Sequence, residues 1–428
     1  MSSPPGPPVV VVGAGAAGFM AAIFAARGGV PTLLLERTSD GGRKILISGG
    51  GRCNVLPGTF RPEAFVTDSS PNSLRRILRS WPLSEQRRFF EGDLRIPLKH
   101  EEYGDKLFPV SDRARDVRDA LVGAVRGAGG EIRFDTTVEG IEARRVPAGA
   151  GDRSPTAAPE APWVVLLEGG ERVPASAVIL ATGGLSVAAT GSDGRGLRWA
   201  RGLGHATNPT YPALTPLLAD PAVHASLAGI SLECTVEAGE GKERRKARGG
   251  FLFTHRGYSG PAVLNVSHVA VRSGMAGGPR APVRVAWTGE GEAVWDRRLQ
   301  GNGRSVSTLL GELLPGRLSE VLQADARVPP ERTLAQLRRD ERGALVERLV
   351  AFSLPWTGDE GYKKAEVTGG GVALDQVDPG TMESRHRPGL YLCGEMLDAF
   401  GPIGGHNFLW AWATGRAAGR AAARSRVS

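Results

Sequence analysis

Val9–Val12 is an apolar run closed by Gly13, the pattern of a strand buried on both faces of a parallel sheet. From Gly18 to Ala26 the apolar positions Phe19, Ile23 and Ala26 recur at helical spacing, and Gly28-Gly29 marks the stop. Thr32–Leu35 is the next apolar run and ends at Glu36, so the first forty residues spell strand, helix, strand. Residues 55–100 read as mostly helical and polar, with starts at Ser70/Asn72 and Ser84. Ser111 is expected to cap a helix over Val117, Leu121, Val122 and Val125, closed by Gly129-Gly130. Strands are expected at 131–134, 137–145 and 163–168, with the low-complexity stretch 147–162 as a hairpin loop. Another buried strand starts at Val178 and ends in Ala181-Thr182-Gly183-Gly184.

From about Arg195 the texture changes. Residues 205–292 read as β-rich and 293–352 as helical, with starts near Val306, Arg317 and Thr333. After Tyr362 the chain is extended again, and from Gly389 the strand–Gly–helix pattern returns and runs into an alanine-rich closing helix. The expected fold is therefore α/β. A two-stretch Rossmann-like domain, a parallel sheet plus a three-stranded β-meander, is built from 1–195 and 361–428, and a β-rich, barrel-like and helical domain is inserted at 196–360.

Composition narrows this further. The 428 residues carry a net charge of +8, which favours anionic substrates or nucleic acid. Cys53, Cys234 and Cys393 form no CxxC pair and the seven histidines show no ligand spacing, so no metal is expected. No apolar run approaches the ~20 residues that span a bilayer. The Pro-rich start resembles no signal peptide, and the expected location is the cytoplasm. The densest basic run, Lys242 to Arg248, lacks interleaved aromatics and reads as a solvated hairpin tip rather than a nucleic-acid contact.

The chemistry begins at Gly13-Ala14-Gly15-Ala16-Ala17-Gly18, a GxGxxG between strand and helix. The first glycine permits the turn, the second lets backbone approach a pyrophosphate, and the third lets helix and strand pack closely. The helix N-terminus offers free N–H groups to the phosphates. Glu36 stands eighteen residues after Gly18, where a carboxylate accepts from ribose hydroxyls and disfavours a 2′-phosphate; Arg37 follows it. No second such motif follows, since Gly369-Gly370-Gly371 lies in an extended segment; any NAD(P)H would dock transiently. The motif's N-terminal position, the Ala181-Thr182-Gly183 strand end and the late Gly394-Glu395 strand end are features of two-stretch FAD domains.

The stretches GRKILISGGGRCN at 42–54, LFPVSDRARDVRDAL at 107–121, ATGGLSVAATGSDGRGLRWARGLGH at 181–205 and FLFTHRGYSGPAVLNVS at 251–267 carry a resemblance over nearly the whole chain. So does KAEVTGGGVALDQVDPGTMESRHRPGLYLCGEMLDAFGPIGGHNFLWAWATG at 364–415. Together they resemble the FAD-dependent oxidoreductases described as aminoacetone-oxidase-like or 3-dehydro-bile-acid-reductase-like (BaiN-type). The resemblance implies that the segment from Gly42 to Asn54 passes the pyrophosphate and then the flavin ring. Beside it, Arg43 and Lys44 would offset phosphate charge, and Gly49, Gly50 and Gly51 would bring N–H groups to a polar ring edge. Ser48, Arg52 and Asn54 could donate to flavin or substrate oxygens. Cys53 has no cysteine near it in sequence and reads as a packed small residue.

Val138 is expected to offer its backbone to adenine. Glu395 can accept from a ribityl hydroxyl, and Asp398 either contacts the flavin or caps locally. Gly404-Gly405-His406-Asn407 would open a helix whose N–H groups stabilise charge on the reduced flavin. His406 and Tyr211 are the acid/base candidates. The reading is an FAD enzyme passing hydride through flavin N5 to a small-molecule substrate. The candidate reactions are reduction of an activated C=C bond and oxidation of a small amine, with NAD(P)H as a transient donor. An RNA-associated or RNA-modifying flavoprotein, and an FAD-binding protein without turnover, are the alternatives.

Overall fold

The valines at 9–12 form the central strand of a five-stranded parallel sheet in the computed structural model, which describes residues 6–101, 104–144 and 161–425. All four are buried, which is why the segment is apolar throughout rather than alternating. The sheet order is Leu390–Leu392, Ala177–Leu180, Val9–Val12, Thr32–Leu35, Glu131–Arg133. The edge strand next to Ala177–Leu180 thus comes from the far end of the chain, in register Val178 opposite Leu390. Val138–Ala143, Trp163–Leu167 and Arg172–Ala175 form the antiparallel meander. Most of the 147–162 loop lies outside the described residues.

The chain forms two units, one of residues 1–210 and 367–428, the other of 211–366. It leaves the first along Thr207–Ala213 and re-enters along Val367–Val372, which pair as a two-stranded sheet. In the first unit the opening helix, Ala16–Arg27, packs on the closing helix, His406–Arg424. Glycine permits the approach: a Cβ on Gly415 or Gly419 would lie 2.3 Å from the Ala17 carbonyl oxygen or 2.2 Å from that of Ala21.

The second unit has a seven-stranded sheet whose pairings are antiparallel, centred on Ser231–Ala238 and Arg245–Phe253. Helices Glu292–Arg298, Val306–Gly311, Gly316–Asp325 and Arg339–Val350 follow. The basic run 242–248 begins in the exposed tip of the 231–253 hairpin and continues into its second strand, where Arg245 to Arg248 pair with Ala238 to Thr235.

Two local expectations need correcting. Ser111 does not cap the next helix, which spans Ala114–Gly127 with Arg113 as its N-cap and no side-chain cap bond; Asp112, at φ +52°, turns the chain between them. Pro261–Met275, inside the segment read as β-rich, is a 15-residue helix packed on the sheet. Pro261 at its first turn and buried Ala262, Val263, Val266 and Ala270 at helical spacing outweigh the β preference of its four valines.

Candidate functional site

The turn after Val9–Val12 has the three glycine roles in geometric form. Gly13 sits at φ +101°, and a Cβ there would lie 2.7 Å from the Ala181 carbonyl oxygen. A Cβ on Gly18 would fall 1.8 Å from the Gly13 carbonyl oxygen, whereas one on Gly15 would meet nothing within 4 Å. Gly15 is the N-cap of Ala16–Arg27, with no side-chain cap bond and no acid in the first turn. This helix start is therefore open, uncapped and electropositive, fit for a pyrophosphate.

Glu36 is buried and holds the turn together. Its Oε2 accepts from Ala14 N–H at 2.7 Å, and its Oε1 from Thr38 N–H at 2.8 Å and the Thr38 hydroxyl at 2.7 Å. Arg37 donates to Asp193 at 2.7 Å, which ties in the loop after Gly183. Beside these, Ala181 and Val138 are buried, Gly183 is left-handed at φ +72°, and the buried Thr182 hydroxyl has no partner.

In the segment from Gly42 to Asn54, Gly42 takes φ +64° and starts the short helix Arg43–Ile47. Gly49, Gly50 and Gly51 then take φ of +57°, +69° and +86°, a course that only glycine follows without strain. Gly50 faces open space. The three cations have carboxylate partners: Arg43 with Asp40 at 3.2 Å, Lys44 with Glu395 at 2.6 Å, and Arg52 with Glu101 at 3.0 Å. Arg52 also lies 4.2 Å over the Phe108 ring. Ser48 donates to the Ile45 carbonyl at 2.8 Å. Asn54, buried, donates to the Leu56 carbonyl at 3.1 Å and accepts from Gly405 N–H at 3.0 Å.

Cys53 is fully buried at φ +64°. Burial pushes its thiol up to about 12, against a smaller opposing pull from Ser48, so it stays protonated at neutral pH. A Cys53→Ala protein is expected to keep its flavin and its reduction rate while losing about 1 kcal/mol of stability. Denaturant unfolding and flavin absorbance check this, and loss of reduction with flavin retained would give the thiol a chemical role.

The C-terminal return meets both earlier segments. Gly394, at φ +78°, sits against the opening helix, where a Cβ would lie 2.8 Å from the Ala17 methyl. Its N–H donates to the Thr414 hydroxyl and its carbonyl accepts from Trp410 Nε1, each at 3.0 Å. Thr368, absent from the sequence expectations, organises the neighbourhood: its hydroxyl donates to Glu395 Oε1 at 3.0 Å and accepts from Leu185 N–H at 2.7 Å. A threonine directly before Gly369-Gly370-Gly371 was the available signal. Asp398 is buried, and its carboxylate is taken up by residues distant in sequence. Its Oδ2 accepts from Ser69 Oγ and Asn208 Nδ2, each at 2.7 Å, and from Asp68 N–H at 3.0 Å.

Gly404 and Gly405, at φ +112° and +85°, lead into His406–Arg424, a second helix start without a side-chain cap or an acid in its first turn. Asn407 closes the Gly401 loop, accepting from Gly401 N–H at 2.9 Å and donating to its carbonyl at 3.0 Å. His406 is 6% exposed, and neither ring nitrogen has a hydrogen-bond partner. Burial lowers its pKa to about 4; Asp105 and Glu63 pull weakly upward and Arg61 downward. Its imidazole is therefore neutral at neutral pH, with one donor and one acceptor unspent. Tyr211 belongs to the second unit, buried, with the Arg272 guanidinium 5.4 Å from its ring centre.

The residues of the first unit fit FAD. Two uncapped helix starts, the open backbone at Gly15 and Gly50, and the unpartnered polar atoms of Thr182 and His406 are what a large anionic dinucleotide would satisfy. Among the described residues no group of three or more His, Cys, Asp or Glu could hold a metal, and no helix is long and apolar enough to cross a membrane.

The sequence pattern of the family described as "HI0933-like protein Rossmann domain" matches residues 7–421. The chain is 32% identical over 421 residues to the 3-dehydro-bile acid delta(4,6)-reductase of Clostridium scindens, covering 96% of this chain and 98% of that one. It is also 32% identical over 413 residues to the ribosomal RNA dihydrouridine synthase of Escherichia coli, covering 94% of each. In three dimensions it resembles a 3-ketosteroid delta1-dehydrogenase from Sterolibacterium denitrificans, with a TM-score of 0.51 at 14% identity over 97% of this chain and 99% of that one. The open conformation of a flavocytochrome c3 fumarate reductase gives a TM-score of 0.50 at 14% identity, over 100% of this chain and 80% of that one.

Proposed function

The chain belongs to the HI0933-like family of FAD-dependent Rossmann proteins, and from that premise we propose that it reduces a C=C bond conjugated to a carbonyl, with NAD(P)H as the electron source. The names of the two relatives share one chemistry on different molecules: hydride and proton are added across a C=C bond of a steroid acid or of a uracil ring. FAD, when bound, supplies a two-electron carrier whose N5 passes the hydride. The observation carrying the reading is the convergence of four distant segments on two uncapped helix starts, through Gly13 with Ala181, Ala17 with Gly394, Lys44 with Glu395, and Asn54 with Gly405.

In this reading the start of Ala16–Arg27 holds the pyrophosphate, with Gly15 allowing its approach. Glu36 keeps the turn in shape and presents its carboxylate to the ribose. Lys44 is held by Glu395, so the pair adds little net charge; the contact orients the Glu395 carboxylate, which could accept from a sugar-alcohol hydroxyl. The start of His406–Arg424 would stabilise negative charge on a bound flavin, and His406 would offer a neutral donor there. A neutral imidazole there donates a hydrogen bond and adds no positive charge.

Anaerobic titration of the yellow protein with NADH and NADPH tests this. Rapid bleaching of the flavin band is expected, then recolouring by an unsaturated ketone or a uridine-containing RNA. Bleaching with no acceptor able to restore the colour would sink the reductase reading.

A further inference from the structure

Helix Pro71–Arg79 buries Leu74, Ile77 and Leu78 and leaves Arg75, Arg76 and Arg79 exposed. An ordinary solvated helix face mixes signs and gains from Glu–Arg pairs one turn apart; this helix contains no acid. Among the described residues none of the three guanidinium groups stands in an ion pair; Arg75 donates to the Asn72 side chain at 3.0 Å. The arginines line a hollow of about 670 Å³ whose far wall is Pro379-Gly380. The nearby carboxylate, Asp378, is already used: it accepts from Gly380 N–H at 2.8 Å and from Thr381 N–H at 3.0 Å. Burial works to raise its pKa, but these bonds and the charge of Arg76 hold it below the ordinary carboxylate range.

We propose that this arginine-lined hollow is a docking surface for the phosphate backbone of a folded RNA. Guanidinium forks match phosphate oxygens in pairs, and Arg75 and Arg79 stand about 6 Å apart along the helix axis, on one face. Three such groups in a hollow this size suit a run of phosphates; a steroid acid with one carboxylate would leave most of them unused. No aromatic side chain lines the hollow, so it offers nothing for a base or a steroid ring to stack on. It would position an RNA without reading its sequence. The inference deepens the reductase reading by naming the substrate class, and its binding test stands apart from turnover.

The test uses the flavin-loaded protein and a fluorescein-labelled stem-loop RNA, followed by anisotropy over a salt series. Wild type is expected to bind with a steep salt dependence. The Arg75→Ala/Arg76→Ala/Arg79→Ala variant should lose at least about tenfold in affinity, and its log–log salt slope should be shallower by about 2 to 3. Its flavin content and NAD(P)H reduction rate should match wild type, and the triple lysine variant should recover most of the binding. Equal affinity and slope in the alanine variant would overturn the proposal. So would wild-type binding to phosphatidylglycerol vesicles with none to RNA. If NAD(P)H fails to reduce the flavin but the alanine variant still loses RNA, the surface stands and the reductase reading falls.

Discussion

Gly15→Val yields a folded but colourless protein, and Gly18→Val yields no folded first unit. The two glycines are three residues apart in one motif, yet their surroundings are opposite. At Gly15 the backbone is extended at φ −85°, and the space beside it is open. Valine there costs about 1 kcal/mol as a poor N-cap but occupies the approach to the helix start. FAD affinity should fall about 100-fold or more, near 3 kcal/mol. At Gly18 a Cβ would sit 1.8 Å from a backbone oxygen, and neither main chain can yield without breaking the strand–helix contact. A loss above about 4 kcal/mol is expected, a large part of the stability of an ordinary domain. Flavin absorbance and thermal melts separate the outcomes. A yellow Gly15→Val protein would mean that the dinucleotide does not pass this turn.

The second large effect is a pH dependence seated at His406. Its pKa is about 4 in the folded protein and near the ordinary 6.5 when unfolded. The unfolded chain therefore binds the proton first, and acid favours unfolding. The native state keeps its full advantage above pH 6.5, loses it as the pH falls toward 4, and loses no more below that. Over this window the loss is about 3 kcal/mol. Urea unfolding of the flavin-free protein at pH 7 and pH 4, beside His406→Phe, isolates it, because the other titrating groups are common to both proteins. Equal losses in the two proteins would show that the ring is solvated in the native state.

Much of the geometry around the candidate site could be read in the sequence because its signals are local. Gly13, Gly15, Gly18 and Glu36 lie on one strand–helix–strand unit, whose geometry follows from spacing alone. The glycines at 49–51 announce left-handed backbone in the same way. What was not legible depends on partners far along the chain. Lys44 reads as a phosphate cation until Glu395, 351 residues away, is found beside it. Asp398 reads as a possible flavin contact until Ser69 and Asn208 are seen to share its carboxylate. Thr368 carries no motif; its role comes from Leu185, Ser186 and Glu395 meeting around one hydroxyl. The helix Pro261–Met275 was hidden because its valines favour strands locally, while packing against the sheet decides otherwise.

The pairing of the opening helix with the closing one sets an order of events during synthesis. Strand Val9–Val12 and helix Ala16–Arg27 leave the ribosome more than 350 residues before the strand Leu390–Leu392 and the glycine face of His406–Arg424. Until then the face of the early helix that packs on His406–Arg424 has no cover, whereas the second unit, one unbroken stretch from 211 to 366, is complete while the first still waits. The cofactor cradle can close only once His406–Arg424 has been made. A premature stop ahead of His406–Arg424 would thus leave that face of Ala16–Arg27 uncovered, a substrate for chaperones and proteases rather than a slightly weakened enzyme.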